Sequence, residues 1–246
     1  MKKTILFTII LLTLTSYKYS KSDKNVSCVT YRIGRVVNLS ANQNLKSEEV
    51  KKHVLEMSQA YDIMEFKLYF TKNKSIFDII DKLNNINEFS FNRALNRVKG
   101  CYYKDLISKE KIKSIEFAGN LYNITVPFDE YKWNITNETK MISGYKCYKA
   151  TCVYEEYDTR RKKNLVFNPE VWFAPKIPFP FGPRGLDGLP GLVLEGKFSS
   201  GIYFYATDIK FSLTNKNIDI EKPNKGIFVS DEEYKRIQIE LIDKIK

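Results

Sequence analysis

Apolar and polar side chains alternate along this chain more often than they follow a helical period. Met64, Phe66, Leu68 and Phe70 alternate with Glu65, Lys67, Tyr69 and Thr71, a period of two that predicts a half-buried strand. Thr207, Ile209, Phe211 and Leu213 do the same against Asp208, Lys210 and Ser212, within a strand expected over 202–213. Residues 26–39, rich in β-branched side chains, open the fold as a strand. From residue 100 short strands are expected at 101–103, 114–118, 121–126, 130–136, 145–157 and 165–174, then at 192–198. In the fourth of that series Tyr131, Trp133 and Ile135 mark the apolar face. Residues 73–99 carry no pattern that supports an assignment, and 215–226 read as a polar linker.

Two stretches switch to helical spacing. Residues 47–60 place Val50, Val54 and Met57 on one stripe behind Ser47 as an N-cap, with Glu48 and Glu49 in the first turn. Residues 231–245 begin with Ser230 and Glu233, a capping-box pair, and carry Tyr234, Ile237, Leu241 and Ile245 as a stripe suited to docking on the parent sheet. The expected fold is mainly β: an antiparallel meander forming one strongly twisted sheet or open half-barrel. A short N-proximal helix and a C-terminal helix accompany it.

Between the two groups of strands lies Gly182-Pro-Arg-Gly-Leu-Asp-Gly-Leu-Pro-Gly-Leu-Val193. Glycine recurs there every third residue, but over four triplets only, far short of a triple helix. Leu189-Pro190-Gly191-Leu192 has the chemistry of a type II turn, with proline presetting φ and glycine accepting positive φ. The stretch reads as scaffold, bending the backbone between two sheet segments.

The 246 residues and their 43% hydrophobic content allow one large core or two small ones. Met1-Lys2-Lys3 followed by an apolar run to Leu14 is too short to span a bilayer and reads as a secretory signal over 1–20, leaving one β-rich domain over 21–246. No later run reaches spanning length. The expected product is exported, to the periplasm or the medium. A net charge of +11, about +9 without Lys2 and Lys3, suits anionic partners, but the lysines are dispersed. The single run, Arg160-Arg-Lys-Lys163, sits where a solvated hairpin loop would, and export disfavours nucleic acid. Four cysteines, Cys28, Cys101, Cys147 and Cys152, fit an oxidising compartment. On one straight strand Cys147 and Cys152 would lie about 16 Å apart, beyond disulfide reach. They are therefore expected to pair with Cys28 and Cys101 in either order, or to remain buried thiols.

Catalytic candidates are sparse. His53 is the lone histidine, so no triad or His-based metal site suggests itself. Asp187, Glu195 and Asp208 are the acids on or beside the glycine-rich stretch. A pair of them at glycosidase spacing is a remote alternative. Arg184, between Gly182 and Gly185, is the candidate anion contact. Neither cofactor nor metal is expected, no catalytic residue is assigned, and oligomeric state leaves no mark.

The segments 142–151 (ISGYKCYKAT), 171–178 (VWFAPKIP), Gly182-Pro183 and Gly188-Leu189-Pro190-Gly191-Leu192-Val193 together resemble the GLPGLI family of exported Bacteroidetes-type proteins. The resemblance spans the leader and most of 100–213, and departs at Val193, where the family has isoleucine. Cys152 and the 160–163 loop look like local additions. The resemblance implies export and gives Gly144, Tyr145, Cys147, Ala150, Trp172, Ile177 and Pro178 the standing of structural landmarks; it brings no enzymatic role. By architecture alone the chain is also similar to periplasmic lipoprotein carriers, which cup an apolar ligand on a sheet. A lipid, lipoprotein segment or peptide on an apolar sheet face is the expected ligand class, with an envelope assembly factor of filled core as the alternative.

Overall fold

The computed structural model describes residues 25–35, 47–80, 88–199, 201–213, 218 and 220–245. The expected signal segment 1–20 and residues 36–39 of the first strand lie outside these.

Twelve strands form one open sheet. On one side of the central strand β1 (Val26–Arg35) run β2 (Glu65–Phe70), β3 (Lys74–Ile80), β4 (Cys101–Asp105), β5 (Glu110–Phe117) and β6 (Asn120–Thr125) as a meander. On its other side lie β13 (Ile202–Leu213), β12 (Leu192–Lys197), β11 (Glu170–Ala174), β8 (Tyr145–Thr151) and β7 (Asn134–Ile142). All of these pairings are antiparallel. The strand β14 (Ile227–Ser230) closes the meander side by pairing parallel with β6. Strands β9 (Tyr154–Asp158) and β10 (Lys163–Phe167) form a separate hairpin, whose turn carries the exposed Arg160 and Arg161. Three helices accompany the sheet among the described residues: α1 (Glu48–Ile63), α2 (Glu88–Val98) and α3 (Asp231–Ile245). None is long and apolar enough to cross a membrane.

The alternation in β2 does what its period demands. Phe66, Leu68 and Phe70 are buried, and they join Tyr31, Phe77 and Phe204 in the main core. Phe66 stacks on Phe77 at 5.6 Å, while Phe204 meets both edge-on, geometry that adds to the area term. Helices α1 and α2 cover this face through Ala60, Tyr61, Ala94 and Val98. Helix α3 begins as its capping pair implies, with the Glu233 N–H donating to Ser230 Oγ at 3.1 Å. It docks Tyr234 and Ile237 against Tyr122, Ile124 and Val229.

Several boundaries differ from expectation. The strand expected over 145–157 breaks at Cys152 and Val153, where the Cys152 N–H turns to the Pro169 carbonyl, so that β8 and β9 belong to different sheets. Pro169, which cannot donate to a ladder, divides 165–174 in the same way. Tyr131 and Trp133 do pack inward, against a second core, but from irregular chain; β7 starts at Asn134 and leaves Ile135 half-exposed. The unassigned region holds β3 and α2. Ser47 makes no side-chain cap, and Val50 and Val54 of the expected stripe are exposed, because only the C-terminal half of α1 reaches the core. The polar linker hides Ile220, which packs on Val26, Tyr103 and Ile112 on the opposite sheet face.

The glycine–proline segment plugs the sheet between the two cores. Ile177 and Phe181 enter the main core; Leu186 and Leu189 enter the second with Ala150, Val171, Phe173 and Val193. The expected type II turn is absent. Instead the N–H groups of Phe179, Phe181 and Gly191 donate to the carbonyls of Ile177, Phe179 and Leu189. Each is a three-residue turn centred on a proline (Pro178, Pro180, Pro190), whose locked φ suits an inverse γ-turn.

Gly191 lacks the positive φ that a type II turn requires. It is glycine for space: a Cβ there would lie 2.5 Å from the Ala174 carbonyl oxygen. At Gly182 a Cβ would lie 2.0 Å from the Leu186 carbonyl oxygen. Gly188, by contrast, has φ +90° and open space around it. Substitution to alanine should therefore rank by cause. Gly182→Ala and Gly191→Ala each lose at least about 3 kcal/mol in denaturant melts, through backbone overlap, and Gly188→Ala loses about 1–2 kcal/mol through strain alone. The reverse order would contradict the packing argument.

Candidate functional site

Strands β4 and β5 form a hairpin whose register sets Lys104 directly opposite Lys111 on one face. Like charges so placed repel, and both residues are only 3% exposed. The arrangement requires an anion, and the glycine–proline segment supplies it. A single 3-10 turn at Pro183–Gly185, with Arg184 at φ +53°, followed by Gly188 at φ +90°, lowers Asp187 between the two lysines. Asp187 Oδ1 accepts from Lys104 Nζ at 2.6 Å, and Oδ2 lies 3.2 Å from Lys111 Nζ. Glu130, from the irregular chain before β7, takes Lys111 at 2.7 Å.

The remaining donors are matched as well. Lys111 Nζ donates to the Gly185 carbonyl at 2.9 Å, Lys104 Nζ to the Phe128 carbonyl at 3.3 Å, and Trp133 Nε1 to the Asp187 carbonyl at 2.8 Å. Lys104 lies over the Phe128 ring and Lys111 over Tyr131, which adds cation–π attraction at buried positions. Two cations and two carboxylates make the cluster neutral. Burial by itself would pull the Lys111 pKa down, but Asp187 and Glu130 outweigh it and hold the ammonium above the ordinary lysine value.

A cleft of about 70 Å³ adjoins this cluster, with Lys111, Glu130 and Tyr131 on its wall beside Tyr154, Arg184 and Phe198. Tyr154 donates to Glu130 at 3.1 Å. Arg184, the expected anion contact, reaches the Arg97 carbonyl at 3.3 Å and lies over Phe198, while its buried Nε has no partner among the described residues. A larger groove of about 380 Å³ opens on the opposite sheet face beside Cys101, Asn123 and Lys225. Asn123, one of six Asn-x-Ser/Thr sequences, is fully buried, accepting from Ser114 and donating to the Lys225 carbonyl. It is closed to glycosylation.

The three acids singled out from sequence are held by different lysines. Glu195 pairs with Lys140 at 2.7 Å beside Trp172, and Asp208 pairs with Lys210 on the exposed C-terminal half of β13. His53 lies on α1. Among the described residues no group of three or more His, Cys, Asp or Glu is placed to hold a metal. All four cysteines are free thiols, so of the two expectations the structure takes unpaired thiols. Burial raises the Cys28, Cys147 and Cys152 pKa values to about 11, and burial followed by the Asp78 charge takes Cys101 to about 12. Such thiols stay protonated and are poor nucleophiles. The landmark residues are divided between the two cores and the turn before β8. Ser143 and Gly144 form the tight β7–β8 turn with φ +48° and +81°; Cys147 and Ile177 are buried in the main core and Ala150 in the second, and Tyr145 and Trp172 pack partly buried against the main core.

No family model matches the chain, and no curated protein does. Among solved structures it is similar to PNGF-II, in C2 and P21 crystals, with a TM-score of 0.52 and 14% and 15% identity. The match covers 87% of this chain and 32–33% of PNGF-II, so the chain spans about a third of the length of those structures. At that identity the likeness concerns the fold.

Lys111→Met should cost about 3–5 kcal/mol in denaturant melts, because it leaves Asp187 and Glu130 buried with too few cations. The pH dependence has a definite sign. Unfolded lysine loses its proton near pH ~10.4, whereas folded Lys111 keeps it to higher pH. The contribution is therefore whole at neutral pH and declines as pH rises from the ordinary lysine value through the folded one. A wild-type stability curve that stays flat there, parallel to that of Lys111→Met, would refute the assignment. Separately, native protein at neutral pH should resist iodoacetamide at Cys28, Cys147 and Cys152, with all four thiols labelled after denaturation. Rapid native labelling would show the burial to be wrong.

Proposed function

We propose that this chain is an exported, non-enzymatic envelope protein of the GLPGLI type, which presents a rigid β framework to a protein partner. The observation that carries this reading is the filled sheet face. Tyr31, Phe66, Phe70, Phe77, Phe173 and Phe181 are each no more than 2% exposed, and the glycine–proline segment occupies the place where a carrier would keep its apolar cup. A lipid or lipoprotein segment bound on that face would have to displace the plug together with its buried ion cluster. The assembly-factor reading therefore has more support than the ligand-cup reading.

The ion cluster supports a structural role for the motif in the same way. Asp187 has both carboxylate oxygens engaged by buried ammonium groups of this chain, so neither is open to a water or an external substrate. The resemblance in 142–151, 171–178 and 182–193 supports export, and the leader-like N-terminus agrees with it.

Expression of the full chain in a Bacteroidetes-type host, followed by fractionation and native mass spectrometry, tests the proposal. The expected product lies outside the cytoplasm, is shortened at its N-terminus and carries no stoichiometric lipid. A full-length cytoplasmic chain would overturn the export reading. A tightly bound acyl ligand would overturn the filled framework in favour of a carrier.

A further inference from the structure

Lys104 and Asp187 are 83 positions apart in sequence, yet they place an amine nitrogen 2.6 Å from a carboxyl oxygen with both side chains under 8% exposed. We propose that they condense in the folded protein to an intramolecular isopeptide bond, Lys104 Nζ to Asp187 Cγ. This deepens the reading of the cluster as a structural lock and rests on it.

The reaction needs no co-reactant, because an ammonium and a carboxylate together hold the atoms of one amide and one water. Lys104 Nζ first passes a proton to Asp187 Oδ1, its hydrogen-bond partner. Transfer within this contact pair leaves no isolated charge in the buried site. The nitrogen lone pair then attacks Cγ, and the π electrons of the carbonyl move onto Oδ2. There the Lys111 ammonium, 3.2 Å away, stabilises the oxyanion as a preplaced cation. A second proton moves from Nζ to Oδ1, and the Cγ–Oδ1 bond breaks, its electron pair leaving with water. The oxyanion electrons restore the carbonyl, now that of an amide.

The two lysines divide these roles by their surroundings. Lys111 is clamped by Glu130, Asp187 and the Gly185 carbonyl, and its raised pKa keeps it charged. Lys104 has only the Phe128 carbonyl and ring besides Asp187, so it is the less firmly held amine, in contact with a single carboxylate. Glu130 is a positioning residue that acts through Lys111. The product keeps one cation and one carboxylate, so the site stays neutral while two buried charges disappear. Fixed proximity replaces the encounter of two solutes, an effect that reaches large effective molarities.

Intact-mass measurement of the purified full chain, reduced and denatured, reads the outcome directly on wild type. The expected mass is one water below that of the processed sequence. Trypsin should fail to cut after Lys104 and should release a branched peptide joining Lys104 to Asp187. Glu130→Gln should lower the cross-linked fraction severalfold in protein that still folds, by loosening Lys111. Asp187-Gly188 could also lose water as a succinimide, which would appear as an unbranched peptide; that result, an unmodified mass, or a branch at Lys111 would each overturn the proposal. An unmodified mass together with the predicted loss of stability in Lys111→Met would leave the non-covalent lock, and the proposed function, standing.

Discussion

A carboxylate held between two buried ammonium groups is the constraint on which this structure turns. Asp187 is delivered by a segment that touches both cores, and Lys104 and Lys111 come from a hairpin in the other half of the sheet. Without the acid, the hairpin register would place two like charges face to face out of water. Without the lysines, the segment would bury an uncompensated carboxylate. Either loss is expensive because the surroundings cannot solvate what remains. The cluster contributes less net stability than its short distances suggest, since desolvation offsets much of the attraction. What it does firmly is forbid alternatives: only one register of β4 on β5 and one seating of the plug leave every charge partnered.

The glycines and prolines follow from that seating. Three proline-centred turns fold the segment tightly enough to send Ile177 and Phe181 to one core and Leu186 and Leu189 to the other. Gly182 and Gly191 permit contact with neighbouring backbone, and Gly188 turns the chain just past Asp187. Reading Leu189–Leu192 as a type II turn identified the right residues and the wrong reason. Composition says that a bend occurs; it does not say whether glycine is needed for its φ or for its missing side chain.

Most of the architecture was legible because period two is a local property. The β2 alternation, the long β13 and the capped C-terminal helix all follow from residues within one element. What escaped notice depended on distant partners. Residues 145–157 look continuous until the Pro169 carbonyl captures the Cys152 N–H and the chain changes sheets. The strand β14 is four residues long and exists only because β6 offers an edge. For the site, Asp187 was visible as a candidate acid, but Lys104 and Lys111 looked like ordinary solvated lysines. The signal was nonetheless present. In Tyr102-Tyr-Lys-Asp-Leu-Ile-Ser-Lys-Glu-Lys111 a hairpin centred on the Leu106–Lys109 turn brings the two lysines into register. They share a face with Tyr102, whose neighbour across β3 is the buried Phe77.

The filled interior moves the question of function to the surface, and there the sheet edges are not equivalent. Edge β14 is short and carries α3 immediately after it. Edge β7 is nine residues long with Ile135 and Met141 exposed, the form that invites strand addition. Its pairing with β8 is interrupted by a bulge between Ile135 and Thr139, and Lys140 and Glu138 along it are tied to Glu195 and Lys149. A bulge and fixed charges are the devices by which edges resist indiscriminate pairing. A strand added at β7 would therefore have to match a kinked, charged edge, not simply extend a ladder. The same features work against self-association through this edge.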